Sequence, residues 1–168
     1  MSGKSRSIPY RSMIILLVTA LVLVVFPLLL LLASYGIKGY ILSHRLRILQ
    51  VILGSLGLAY GFFMLIWTVV SQVRSGQGTP SPVAPTQKLI IDGPYLRRRN
   101  PMLLGVIIYF FGVGTLLDSI ASGLIMASLG LILGTCYVKF VEERELRIRF
   151  GKEYEEYKNK TPFILCKF

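Results

Sequence analysis

Between Met13 and Tyr35 the chain carries no charged residue, and the same is true from Ile48 to Val70. A helix crossing roughly 30 Å of hydrocarbon needs about 20 mostly apolar residues, because no water is present to satisfy its backbone. Both runs meet that requirement. Two further runs follow: Met102 to Leu117, closed by Asp118, and Ile120 to Val138, closed by Lys139. They are separated by too little chain for anything but a tight hairpin of helices. The expected architecture is therefore all-α, a polytopic helical membrane bundle of about four spans. A hydrophobic share of 54% agrees with it. Lys4, Arg6 and Arg11 give the first run a basic front. Its apolar stretch is longer than that of a cleaved leader, and no small-x-small site closes it, so it reads as a retained span.

Four spans place the N-terminus, the loop 71–100 and the tail after Val138 on one side. That side then holds all but three of the 19 lysines and arginines, the exceptions being Lys38, Arg45 and Arg47. The positive-inside rule puts both termini in the cytoplasm, and the remaining basicity suits anionic headgroups. The charge of +11 thus calls for a lipid bilayer as partner and for no nucleic acid. Cys136 in the last run and Cys166 in the tail make no disulfide framework, and Cys166 is misplaced for a prenylation box. His44 is the single histidine, so a histidine-ligated metal site is excluded.

Residues 1–168 read as one membrane domain without internal repeats. Its two N-terminal spans (13–70) look like scaffold, where Gly54, Gly57 and Gly61 form a small-residue face for close helix approach. Gly123, Ala127, Gly130 and Gly134 make a similar face on the fourth span, and Pro27 is placed to kink the first. Prolines and glycines between Ser75 and Thr86 forbid a regular helix there, and a turn is expected at Gly93-Pro94. Gly151 is a natural break in the helix leaving span four. Beyond it Phe150, Tyr154 and Tyr157 recur at helical spacing among charges, which predicts a C-terminal amphipathic helix at the interface.

Two polar groups flank the hairpin at its cytoplasmic end: Arg97-Arg98-Arg99-Asn100-Pro101 before span three, and Glu142-Glu143 just past span four. A hairpin brings its ends together, so arginines and glutamates should meet at one depth, where they would suit a zwitterionic ligand. Each group also has a structural reading. The basic triplet can simply orient a span. Glu143 can pair with Lys139 or Arg147, and Glu145 with Arg149, at i,i+4. Glu142 has only Lys139 at i−3, since its i+4 neighbour is Leu146.

Taken together the motifs are specific. Gly93-Pro94-Tyr95, Arg99-Asn100-Pro101-Met102, Gly105, Glu142-Glu143, Leu146, Phe150-Gly151, Tyr154, Tyr157 and Pro162-Phe163 follow one another at the spacing of a known signature. Gly78 to Pro85 is similar to the entry loop that precedes it. The region from about residue 74 to 163 resembles the isoprenylcysteine carboxyl methyltransferase and phospholipid methyltransferase family of integral membrane enzymes. That resemblance makes residues 71–168 the methyltransferase-like part. It implies S-adenosyl-L-methionine as cofactor, with Tyr95, Asn100, Pro101, Glu142 and Glu143 around it and no metal. Gly112 and Gly114 match a Gly-x-Gly of the phospholipid branch and are implied in cofactor binding as well. Arg99 and Glu143 are implied as catalytic. One departure stands out: Asn100 replaces the family histidine, and asparagine hydrogen-bonds but does not titrate.

Methyl transfer from a sulfonium is an in-line displacement whose leaving group is already activated, so alignment and desolvation are the protein's task. A carboxylate acceptor would favour an arginine partner, whereas an amine headgroup must lose protons, to a glutamate or to water. The implied acceptor is a membrane lipid or a prenylated small molecule or protein. Two other classes fit parts of the pattern: a non-catalytic protein binding anionic lipid, and a membrane reductase using a nicotinamide cofactor.

Overall fold

A computed structural model describes residues 21–37, 47–77 and 86–164. Outside it lie the basic N-terminus, the start of the first apolar run, the His44 loop, the proline-rich entry loop and Cys166. All regular structure among the described residues is helical. A π-turn (Leu21–Val25) runs into α1 (Phe26–Ile37), and Pro27 is buried where the winding changes. Then come α2 (Arg47–Arg74), a 3-10 turn (Gly93–Leu96), α3 (Pro101–Leu117) and α4 (Ile120–Tyr137). A second π-turn (Val138–Glu142) leads without interruption into α5 (Glu143–Lys160).

Two helices are long and apolar enough to cross a membrane, α2 and the continuous Ile120–Lys160. The apolar windows of these two are only 28% and 17% buried. A soluble core helix would be mostly covered, so these apolar surfaces face outward. Leu56, Phe62 and Phe63 on α2 and Leu124, Ile132 and Leu133 on α4 are among the exposed residues. Four spans were expected; α3 is a shorter apolar helix, and the first run is described only from Leu21.

α3 packs between α2 and α4, and glycine sets the distance on both sides. A Cβ added at Gly61 would lie 2.7 Å from Tyr109 Cα, and one at Gly57 would lie 3.2 Å from Gly112 Cα. On the other flank Gly123, Gly130 and Gly134 receive Thr115, Phe110 and Leu103. Such small-residue contacts replace the hydrophobic drive that lipid cannot provide between helices. α1 closes the core, with Phe26 tilted against Phe110 at 5.5 Å.

The α3–α4 turn is as tight as the sequence predicts. Ser119 caps α4 by accepting from Ser122 N at 3.2 Å, and Asp118 Oδ2 accepts from both serine hydroxyls. Gln50 on α2 ties this end down through Thr115 O and Asp118 O.

At the opposite end Gly151 adopts φ 50°, ψ −121°, a left-handed conformation that favours glycine, and reverses the direction of α5. The returning half turns its aromatic face toward the hairpin mouth: Tyr154 is 2% exposed, and Phe150 and Tyr157 line a cavity there.

Candidate functional site

The mouth is organised around Arg99. Its Nη1 donates to Glu143 Oε1 at 2.8 Å and to Tyr154 OH at 3.5 Å, and its Nε donates to Thr161 O at 3.0 Å. Phe163 lies 5.6 Å away under the guanidinium. Glu143 also accepts from Lys158 Nζ at 2.7 Å. With side chains 11% and 12% exposed, Arg99 and Glu143 form a largely desolvated pair. Burial by itself would raise the Glu143 carboxyl, but the Lys158 bond and the Arg99 charge outweigh it and hold the group below the usual carboxylate range. Lys139 and Arg147, the expected helical partners, are not the ones used. Arg147 reaches Glu155 instead, because the Gly151 reversal brings the second half of α5 alongside the first, while Glu145 does pair with Arg149.

Glu142 points elsewhere. Neighbouring residues on a helix are offset by about 100°, so one of the pair can face the bundle while the other braces its rim. Here Glu143 faces Arg99 and Lys158, and Glu142 is bonded to neither. Glu142 lines two cavities, a small one of about 60 Å³ with mixed walls and a mostly apolar one of about 510 Å³, which share Gln72, Tyr95, Arg99 and Asn100 as walls. No hydrogen bond or ion pair reaches Glu142 among the described residues. Burial above all, then the charges of Glu145 and Glu143, push its carboxyl up to about 7. The π-turn that ends at Glu142 is a winding common at functional positions.

Tyr95 is held from both ends. Its hydroxyl accepts from Gln72 Nε2 at 2.6 Å, and its carbonyl accepts from Tyr157 OH at 2.7 Å. Gly93, at φ 54°, turns the chain so that this ring enters the bundle. Burial, partly offset by the Gln72 bond and reinforced by the Glu142 charge, keeps the phenol well above its usual range and so protonated. Asn100 is 8% exposed and lines both cavities, but its amide nitrogen is committed to Phe163 O at 3.2 Å. Where the family histidine would stand, this chain has a latch onto its own C-terminal segment. Pro101 is buried at the start of α3 and lines the larger cavity.

Gly112 and Gly114 stand apart. Gly112 packs against the Leu58 backbone of α2, and Gly114 against Gly123 and Met126 of α4; neither lines a cavity described here. The family resemblance implies them at the cofactor; among the described residues both sit in helix contacts. In the other direction, Gln72 was not among the expected site residues. Its Oε1 is buried and without a hydrogen-bond partner among the described residues, although it lines both cavities. Such an orphan acceptor costs roughly 1–3 kcal/mol until a donor reaches it. The available signal was only a polar side chain just past an uncharged run.

An unpartnered carboxylate and an unpartnered carbonyl, set where a small mixed cavity meets a larger apolar one, suit a cationic hydrogen-bond donor attached to a larger ligand. The profile of the phospholipid methyltransferase family matches residues 49–153, and the chain belongs to that family. No curated protein matches it, and no solved structure does.

Proposed function

We propose that the chain transfers a methyl group from S-adenosyl-L-methionine to a lipid-like acceptor at the cytoplasmic face of a membrane. The observation that carries this reading is Glu142, a carboxylate without a counter-charge at the junction of the two cavities. The residues present fit the cofactor. Glu142 would take its ammonium, Asn100 and Tyr95 would bound it, and the Nη2 side of Arg99 would face an anionic group of cofactor or acceptor. When bound, the cofactor supplies an electrophilic methyl on sulfur, and the acceptor's lone pair displaces it.

The remaining work belongs to the chain. Alignment comes from walls contributed by α2, α3 and the π-turn, all braced by close helix contacts. Glu143 is a positioning residue here, since Arg99 and Lys158 occupy both of its oxygens. The apolar cavity, walled by Phe26, Val106, Phe110 and Leu133, would take an acyl or prenyl chain and exclude water from the transfer. A carboxylate acceptor needs no base. For an amine acceptor the headgroup proton would pass to water, because Glu142 is taken up by the cofactor's ammonium.

The test uses the full chain in nanodiscs with methyl-labelled cofactor. The discs contain phosphatidylethanolamine or phosphatidylglycerol, with or without N-acetyl-S-farnesylcysteine. Label should appear in the lipid extract with one of these acceptors and vanish in Glu142→Gln. No label with any of them, together with no cofactor binding, would overturn the proposal.

Orientation belongs to the same reading. Four spans with both termini cytoplasmic follow from the cation asymmetry. Reporter fusions at residue 85 and after residue 168 should both read cytoplasmic, and one at residue 42 should not. A far-side signal from the C-terminal fusion would mean that one apolar run fails to cross.

A further inference from the structure

The orphan carbonyl of Gln72 and the unpartnered carboxylate of Glu142 arise on different walls of the same space, one on α2 and one beyond α4. We propose that Gln72 is a cofactor-binding residue, accepting a hydrogen bond from the ammonium that Glu142 neutralises. The inference rests on the methyltransferase reading and adds to it a contact from the scaffold half of the chain.

Three observations support it. Gln72 is tethered: its Nε2 donates to Tyr95 OH, and Tyr95 is itself held by Tyr157. In that arrangement its Oε1 is the group left open to a ligand, as a preorganised binding site requires. Of the donors nearby, Asn100 Nδ2 is taken by Phe163 O, and Arg99 Nε and Nη1 by Thr161 O and Glu143; none is bonded to Gln72 Oε1 or to Glu142. What these two acceptors lack is a charged N–H donor bonded to both. A hydroxyl brings one donor and no charge, and a sulfonium brings charge and no donor. An ammonium brings three donors and one charge, enough for both acceptors. Glu142 alone could bind such a group; Gln72 would decide whether it is held from one side or two.

The experiment measures equilibrium binding of three ligands to the full chain in nanodiscs. They are S-adenosylhomocysteine, its desamino analogue with hydrogen in place of the amine, and methylthioadenosine. Gln72→Leu should weaken S-adenosylhomocysteine about tenfold and the two amine-free ligands by less than about twofold. Gln72→Glu keeps an acceptor for both Tyr95 and the ammonium, and should bind S-adenosylhomocysteine at least as tightly as the wild type. Equal losses for all three ligands in Gln72→Leu would assign the residue a packing role and overturn the proposal. So would an unchanged affinity in Gln72→Leu. A loss in Gln72→Glu as large as in Gln72→Leu would show the group acting as a donor, with the same consequence. Absence of binding by the wild type is a separate result: it removes the methyltransferase reading, and the role of Gln72 goes with it.

Discussion

Replacing Glu142 by glutamine should lower affinity for S-adenosylhomocysteine by at least about tenfold, or about 1.4 kcal/mol, while leaving the fold almost as stable as before. The two halves of that expectation have one cause. Glu142 has no ion pair to lose, and its burial as a charge opposes folding instead of aiding it. Because its carboxyl is pushed up to about 7, its protonation matters for binding under ordinary conditions. An ammonium requires the ionised form, so binding to wild type releases a proton below that value. Affinity should climb as pH is raised from about 5.5 to 7, by no more than about tenfold per unit, and then level off; the amine itself stays charged over that range. Glu142→Gln should show a flat profile. Calorimetry of both proteins across the range checks it, and a parallel rise in the variant would assign the titration to another group.

Glu143→Gln should do the reverse. The family resemblance implies both glutamates at the cofactor. In the structure Glu143 joins Arg99 to Lys158 in a desolvated cluster, and removing its charge strands the arginine. Breaking a buried pair from one side costs on the order of 3 kcal/mol or more, against less than about 1 for an exposed pair such as Glu145–Arg149. The variant should melt well below the wild type in the same detergent, and Glu145→Gln should not. Its carboxyl is held low, so this stabilisation is present above the usual carboxylate range and is lost as pH falls through the lowered value. Should Glu143→Gln melt with the wild type and lose only ligand affinity, the bracing role would be wrong.

The apolar runs made the helical bundle legible from the chain alone, because lipid leaves backbone so few alternatives. The Gly151 break and the Asp118 turn were readable for a similar reason: local conformation there depends on the residues themselves. What the sequence hid was pairing between distant segments. Nothing near Asn100 announces that its amide meets Phe163 O, and nothing near Arg99 announces Thr161 O. The tail's aromatic face was recognised, but periodicity cannot distinguish a membrane surface from the chain's own polar mouth. Gln72 was passed over because a lone amide at a span end has no motif around it. Gly112 and Gly114 form a motif in the letters, and in the structure both glycines bring helices into close contact.

The partners of Arg99 carry a consequence for synthesis. Its bonds run to Glu143, Tyr154 and Thr161, all of which leave the ribosome after both helices of the hairpin have been made. The apolar segments can enter the bilayer one after another while this arginine still sits in water at their edge. Only when the last helix doubles back at Gly151 does the guanidinium lose its hydration and gain its permanent neighbours. Helix packing and completion of the pocket thus draw on different parts of the chain, and a tail shortened before Thr161 should leave the apolar helices packed but the pocket unfinished.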